Sequence, residues 1–175
     1  MNGAKTRAEL ARVAKELAER PFHGYVDGKE PNIQPLVDLF PGWSVDEADR
    51  LWCAAFVYYC CVGAGFDFPC RPEGLVTCTL AGCIAWEEFA MNDSRIEYHR
   101  GDSSFVPAAG DIVLYDRVFC DAEHDHIGVV LEVGDGVLKA AEGNIFDKNT
   151  SGIVTRPLDE HIRAYIRIPD GYTYK

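Results

Sequence analysis

The sequence predicts an α+β domain in which helices come first and an antiparallel sheet follows. Before Asn92 the apolar residues recur mainly at helical spacing, whereas after Gly110 they form short runs of strand length. Gly134–Gly136 separates two of these runs and is a strong hairpin signal. Because helices precede a meander of strands, we expect the helices to pack on one face of the sheet.

The main helices are predicted from their end signals. Thr6–Glu9 is a capping box ahead of apolar residues at helical spacing, and Pro21 ends this first helix. A long apolar helix contains Cys53 and is ended by Gly63. A further helix is predicted over Leu80–Met91.

The start of the Cys53 helix presents a conflict. Ser44–Glu47 is a capping box that would begin a helix well before Cys53 and leave the thiol in mid-helix. Asp49 offers a later cap that places Cys53 in the first turn. Free amides and the positive dipole end stabilise a thiolate only near a helix N-terminus. We therefore predict two short helical pieces with a break near Asp49.

Five strands are predicted after the helices. They cover Ile112–Tyr115, Ile127–Val133, Val137–Ala141, Gly152–Thr155 and Ala164–Ile168.

Composition bounds the function classes. A length of 175 residues suits one globular domain, and a net charge of −11 disfavours nucleic acid and anionic membranes as partners. No apolar run approaches the ~20 residues that span a bilayer. The N-terminal segment does not resemble a signal peptide, so we expect a chain that is cytoplasmic as synthesised, or is released or delivered outside by other machinery. The oligomeric state is left open.

Seven cysteines are many for this length, but they do not indicate a metal site. Their number is odd, several have apolar neighbours, and no pair has the two-residue spacing of a zinc knuckle. We predict reduced thiols, no metal site and no cofactor.

A thiol, an imidazole and a carboxylate follow one another along the chain as Cys53, His126 and Glu142. A nucleophilic thiol needs an electropositive surround, and the imidazole that supplies it needs a third group to orient its ring. Pairing about the hairpin places Glu142 opposite Ile127 or Gly128, the two residues that follow His126, so cross-strand proximity is expected. Each residue also has a structural reading, as a buried core cysteine, a strand-cap histidine and a turn glutamate.

Three neighbouring signals are set aside. His124 lies close to His126, but the Ile-Gly context that follows favours His126. Asp111 opens a strand after glycine and is interpreted as a turn residue. Four acidic residues fit a calcium-loop template, yet His126 occupies the position where that loop needs glycine. They are Asp121, Glu123, Asp125 and Glu132.

These pieces resemble the CHAP family, the cysteine- and histidine-dependent amidohydrolases/peptidases of the NlpC-type papain-like group. The similar segments are Trp52–Val57, Gly110–Val113, His126–Val130, Glu142–Asn144 and Ile162–Arg167. The resemblance covers roughly residues 31–169, so residues 1–30 are interpreted as an N-terminal helix and extension of a single globular domain. It implies a papain-like or NlpC-like fold with N-terminal helices on a C-terminal antiparallel sheet.

The resemblance also implies roles. Cys53 would be the nucleophile, His126 the general base and later acid, Glu142 the orienting carboxylate, and Asn144 its adjacent polar residue. The amide of Cys53 is the expected first oxyanion donor, whereas the second is not identified. Gln34, the only glutamine, stands too far upstream to be assigned to it.

The predicted function is therefore a cysteine hydrolase that cleaves amide bonds through a thioester. The substrates implied are peptidoglycan peptides or related small amides. Two alternatives remain open: a papain-like binding module that has lost turnover, and an acyltransferase that passes the thioester to an amine.

Overall fold

The computed structural model describes residues 4–175. Within these residues, five α-helices precede the sheet, and one 3₁₀ turn, Ile145–Asp147, lies between two of its strands. The helices are α1 (Arg7–Glu19), α2 (Gln34–Val37), α3 (Val45–Ala48), α4 (Cys53–Gly63) and α5 (Cys83–Asn92). None of the helices in this part of the chain is both long and apolar enough to cross a membrane.

Six strands form one antiparallel sheet in the order β1-β6-β2-β3-β4-β5. The strands are β1 (Glu97–His99), β2 (Ile112–Tyr115), β3 (His126–Gly134), β4 (Val137–Glu142), β5 (Gly152–Pro157) and β6 (Ile162–Arg167). Strand β6 therefore lies inside the sheet, between β1 and β2, although it is the last strand in sequence. The predicted α+β class with an antiparallel sheet is confirmed.

The main core lies between the helices and one face of the sheet. Helix α4 is apolar all round, as expected of a helix covered on every side, and eight of its residues are buried. Ile112 and Leu114 of β2 point into this core, while Val113 and Tyr115 point to a smaller cluster on the other face. Helix α1 contributes Leu10 to the same core, so the N-terminal helix packs within one body with the sheet.

The predicted break before Cys53 is confirmed. Ser44 caps α3 through a complete capping box, and α3 ends after only four residues at Ala48. Arg50 then adopts a left-handed backbone with φ of 63°, which no helix accommodates. Helix α4 starts afresh at Cys53.

The strand ends differ from the predicted ones by at most two residues, and the structure departs further from the predicted elements at two places. Helix α5 begins at Cys83 and not at Leu80, because Gly82 is extended and the Leu80 carbonyl accepts a bond from the indole of Trp86. Strand β1 was not predicted, since three residues are too few for an alternating pattern. It exists because it pairs with β6.

Candidate active site

Cys53 is the first residue of α4 and lines an open cavity of about 820 Å³. The residue as a whole is 9% exposed, so Cys53 lies at the wall of the cavity and not deep in the core. The first amides of a helix have no partner within the helix, and they carry the positive end of its dipole. This placement favours the ionised form of the thiol.

His126 and Glu142 meet at one end of the sheet. His126 begins β3 and Glu142 ends the neighbouring strand β4. The Nε2 atom of His126 lies 2.8 Å from Oε2 of Glu142, and both residues are fully buried. The other ring nitrogen, Nδ1, is also buried and has no hydrogen-bond partner within the described chain. Nδ1 is thus the nitrogen left to serve Cys53.

Gly128 makes room for the Glu142 side chain to reach His126. The register pairs Val129 with Ala141, which puts Gly128 beside Glu142, one of the two positions that the hairpin predicted. A methyl group at Gly128 would lie 2.8 Å from Cγ of Glu142. That is well inside the ~3.5–4.0 Å at which carbon atoms pack.

Arg156 on β5 holds Glu142 from the opposite side. Its Nε and one terminal nitrogen each donate a 2.7 Å hydrogen bond to a different oxygen of Glu142. Such two-point pairing fixes the carboxylate in plane and in direction. Burial acts to raise the pKa of Glu142, but the charges and hydrogen bonds of His126 and Arg156 outweigh it and lower the pKa to about 2.

Cys53 and His126 shift each other's pKa in opposite directions. The Cys83 thiol has the largest influence on Cys53, and its hydrogen bond, together with the contact of His126, outweighs burial and lowers the Cys53 pKa to about 5. Burial acts to lower the pKa of His126, but the charge of Glu142 and the contact with Cys53 raise it to about 9. At neutral pH the pair is therefore thiolate and imidazolium.

Two aromatic rings cover the imidazole of His126. Tyr115 stacks on it with ring centroids 5.8 Å apart, and Phe119 lies 4.4 Å away at an angle. The guanidinium of Arg156 in turn lies 4.8 Å from the centre of the Tyr115 ring. This cover keeps water from the ion pairs, and charges interact more strongly where water is excluded.

The Asn144 side chain forms hydrogen bonds with Arg50, in the loop before α4, and with Asp147 and Asn149, and none of these bonds goes to His126. Its Nδ2 donates to the Arg50 carbonyl at 2.7 Å, and its Oδ1 accepts from the Asn149 amide at 2.7 Å. Asn149 in turn accepts from the Arg50 amide at 3.1 Å and from the Trp52 indole at 2.9 Å. The two asparagines together brace the segment that leads into α4.

Gln34 and His124 stand apart from the Cys53–His126–Glu142 cluster. The Gln34 side chain donates to Asp38 at 2.7 Å on the surface of α2 and does not line the cavity. His124 lines the cavity, but its ring bonds to the carboxylate of Glu87. His124 and His126 thus bond to different carboxylates, Glu87 and Glu142.

The acidic residues set aside in the sequence have structural contacts. Asp111 is fully buried, accepts from the Ala108 amide at 2.8 Å and receives two bonds from Arg167. Asp125, from the calcium template, accepts from the amide of Phe119 at 2.7 Å. Among the described residues, no group of His, Cys, Asp or Glu side chains has the arrangement of a metal site.

Comparison with known families decides the classification. The sequence model of the CHAP domain matches residues 44–144, which is more than half of the chain. The chain belongs to the CHAP family. The match contains Cys53, His126 and Glu142, and it ends at Asn144. It confirms the resemblance found in the sequence.

Solved structures agree with this CHAP fold. "The crystal structure of Ly7917" matches with a TM-score of 0.53 at 15% identity, over 95% of this chain and 63% of that one. "The crystal structure of Ly7917 with the hydrolyzing product of MDP" matches with a TM-score of 0.55 at 16% identity, over 95% and 64%. The present chain thus spans less than two thirds of the length of these matched chains. No curated protein matches it.

Sequence reasoning missed three residues of this CHAP site. Arg156 gives no local signal, because a lone arginine in a strand has many uses and the β4–β5 register was not predicted. Asn149 lies in a turn, where asparagine is common. Cys83 was one of seven cysteines, and its contact with Cys53 at 3.6 Å depends on how two distant helices meet.

Proposed function

We propose that this CHAP domain is a cysteine amidohydrolase that opens amide bonds through a thioester on Cys53. The observation that carries the proposal is the state of His126. Glu142 lies 2.8 Å from one ring nitrogen, the other nitrogen is buried and has no partner among residues 4–175, and Cys53 lies at a helix start on an open cavity. A nucleophile, a base and an orienting acid in this relation form a nucleophilic triad.

In the first half-reaction, the Cys53 thiolate attacks the amide carbon and the carbonyl oxygen becomes an oxyanion. The backbone amide of Cys53 is at the first position of α4, where a helix offers it no internal partner, and it is the donor we assign to that oxyanion. The tetrahedral intermediate collapses to a thioester as the His126 imidazolium gives its proton to the leaving amine. Glu142 and Arg156 act through His126 by holding its ring, and are positioning residues.

In the second half-reaction, the now neutral His126 takes a proton from water. The hydroxide that forms attacks the thioester carbon, and a second oxyanion forms at the same place. Its collapse releases the carboxylic acid and restores the thiolate and the imidazolium. Asn144 supports this cycle through the loop that leads into α4, and we assign it a positioning role.

The substrate class proposed is a peptide of bacterial cell walls or a related small amide. The support is the CHAP membership and a fold shared with a protein whose structure contains the hydrolysing product of MDP. A cavity of about 820 Å³ beside Cys53 has the size of a site for a small ligand or a short peptide.

Digestion of purified peptidoglycan and of soluble muropeptides, followed by mass spectrometry, tests the proposal. We expect new amine and carboxylate ends from the wild-type chain, and none from Cys53→Ala. Cleavage by Cys53→Ala at the wild-type rate would contradict the assignment. Products joined to an added amine would indicate acyl transfer in place of hydrolysis. A folded wild-type chain that binds these substrates without opening a bond would indicate a binding module.

A further inference from the structure

A second thiol touches the proposed nucleophile. The Sγ atoms of Cys53 and Cys83 lie 3.6 Å apart, and both residues line the same cavity. Cys83 is the first residue of α5, just as Cys53 is the first residue of α4, so two helix N-termini converge on the two sulfurs. The hydrolytic cycle proposed above uses only one of these thiols.

The remaining thiols of the described chain are placed differently. Cys60 and Cys61 are fully buried within α4, and their pKa values are raised by burial. Cys78 and Cys120 line the cavity, but neither sulfur forms a hydrogen bond with the Cys53 sulfur, and the partly exposed Cys70 does not line it. Among the described residues, Cys53 and Cys83 are the one pair of thiols whose sulfurs lie within hydrogen-bond distance.

We propose that Cys53 and Cys83 form a thiol–disulfide site: hydrogen peroxide oxidises Cys53, and Cys83 then closes an intramolecular disulfide that blocks the nucleophile reversibly. The sulfurs must approach from 3.6 Å to the ~2.05 Å of a disulfide bond. That is a movement of roughly 1.5 Å, within the reach of side-chain rotation and small shifts of the two helix starts.

The chemistry is balanced with peroxide as the oxidant. The Cys53 thiolate attacks one peroxide oxygen and displaces hydroxide, which leaves a sulfenic acid on Cys53. The sulfur of Cys83, on losing its proton, attacks the Cys53 sulfur and displaces a second hydroxide. Each hydroxide takes up a proton, so two thiols and one peroxide give one disulfide and two waters. The two thiols are oxidised and the peroxide is reduced.

The ionisation of the two thiols supports this order of events. A thiolate reacts with peroxide and a thiol does not, and the pKa of Cys53 is lowered to about 5. The pKa of Cys83 is raised well above its ordinary range, first by its bond to Cys53 and then by burial. Once Cys53 is a neutral sulfenic acid, the influence of its negative charge on Cys83 is gone, and Cys83 ionises more readily.

Peptide mapping tests for the bond directly, and chymotrypsin is the protease to use. Trypsin cannot separate the thiols, because no lysine lies between Arg50 and Arg95 and the Arg71–Pro72 bond resists cleavage. Chymotrypsin cuts after aromatic residues and leucine, which isolates Cys53–Phe56 from Ala81–Trp86. It also releases Cys78 in a separate peptide, so each partner can be identified.

The reduced full-length protein is freed of reductant, treated with a small excess of hydrogen peroxide, denatured and alkylated. We expect Cys53–Phe56 linked to Ala81–Trp86, two hydrogens lighter than the separate peptides, and their separation by dithiothreitol. Cys78→Ser, the matched control, should give the same linked pair. Three results would overturn the proposal. They are a disulfide between Cys53 and another cysteine, a Cys53 sulfinic acid together with a reduced Cys83, and a Cys53 that stays reduced.

The block on hydrolysis rests on the proposed function, whereas the bond itself does not. We expect peroxide to abolish amide cleavage by the wild-type chain and dithiothreitol to restore most of it. Cys83→Ser should lose its own activity to peroxide without recovery, because no partner protects Cys53 from further oxidation. If no cleavage is ever detected but the linked peptide forms, the proposed function fails and the thiol site stands. The peptide map of the wild-type protein shows whether the disulfide forms, even if Cys83→Ser does not fold.

Discussion

Single side chains determine the reactivity of Cys53. Its ionisation depends on the Cys83 thiol and on His126, and His126 depends in turn on Glu142. Because these groups titrate as one unit, the macroscopic pKa values belong to the cluster and not to one residue. The proposed reaction should therefore fail at both ends of the pH range, below about 5 as Cys53 gains a proton and above about 9 as His126 loses one.

The rate at which iodoacetamide alkylates Cys53 should show this ionisation without any substrate. In the wild type the rate should rise with a midpoint near pH 5. His126→Ala should move the midpoint upward, toward the ~8.5 of an ordinary thiol, because it removes the positive partner of the thiolate. Mass spectrometry of the Cys53 peptide across pH gives the profile.

His124→Ala is the matched control for this measurement. His124 lines the same cavity but bonds to Glu87. Its removal should leave the midpoint in place. A midpoint that moves in His124→Ala and stays in His126→Ala would reverse the assignment of the base.

Glu142→Gln should move the alkaline limb of hydrolysis to lower pH. The carboxylate charge is the largest of the influences that raise the pKa of His126 to about 9, and glutamine keeps the shape without the charge. With a lower pKa, His126 loses its proton earlier as the pH rises. The kcat/KM profile of the two proteins against pH measures the displacement, and an unmoved alkaline limb would contradict the role given to Glu142.

At the scale of elements, the loop before α4 decides where the thiol lies. Asn149 is fully buried and bonds to the Arg50 amide and the Trp52 indole. It also donates to the Tyr25 carbonyl at 3.1 Å. One side chain thus joins three points of the chain around the break that precedes Cys53.

Asn149→Ala should lower both stability and activity. The buried groups it leaves without partners cost about 1–3 kcal/mol in the free energy of unfolding. The segment that leads into α4 also loses the hydrogen bonds that position Cys53. Because Cys53 is the reacting group, kcat should fall more than KM rises. Urea denaturation and steady-state kinetics measure the two effects. Asn92→Ala, which removes one exposed bond to the Gly74 carbonyl, is the control and should change neither by much.

The sequence was enough for those elements whose signals are local. The capping box at Ser44, and the expectation that a reactive thiolate lies at a helix start, together predicted the break. Pairing about the hairpin predicted that Glu142 lies near His126, and a bulge between Val130 and Glu132 brings Glu142 beside Gly128. Contacts that depend on packing were not predictable. Cys83 contacts Cys53 where two helices far apart in sequence meet. Arg156 donates hydrogen bonds to Glu142 from a neighbouring strand whose register was not predicted.

At the scale of the whole molecule, a buried ionic network joins α5, β6 and the loop after β2. Arg163 contacts Glu87 at 2.9 Å and Asp116 at 3.0 Å, and all three are less than 10% exposed. Tyr98 of β1 and His124 of the cavity wall bond to the same Glu87 carboxylate. The network therefore ties the cavity wall to the edge of the sheet.

Arg163→Ala should destabilise the protein strongly. Two carboxylates that are buried with their partner would be left without it, which typically costs about 3–5 kcal/mol. Arg12→Ala is the control, because its ion pairs with Glu9 and Glu16 are exposed to solvent and should contribute little. Chemical denaturation measures the free energy of unfolding of the two variants. Equal losses would mean that the buried network stabilises the protein no more than the exposed ion pairs do.

The interior position of β6 has a consequence for folding during synthesis. Strand β1 leaves the ribosome early but has only β6 as a neighbour, and β2 needs β6 on one side. A nascent chain that ends before Ile162 can form the β2–β5 meander, yet it leaves β1 unpaired and one side of β2 open. Such edges invite aggregation. Translation of β6 is thus the step that joins β1 to β2 and assembles the Arg163 network.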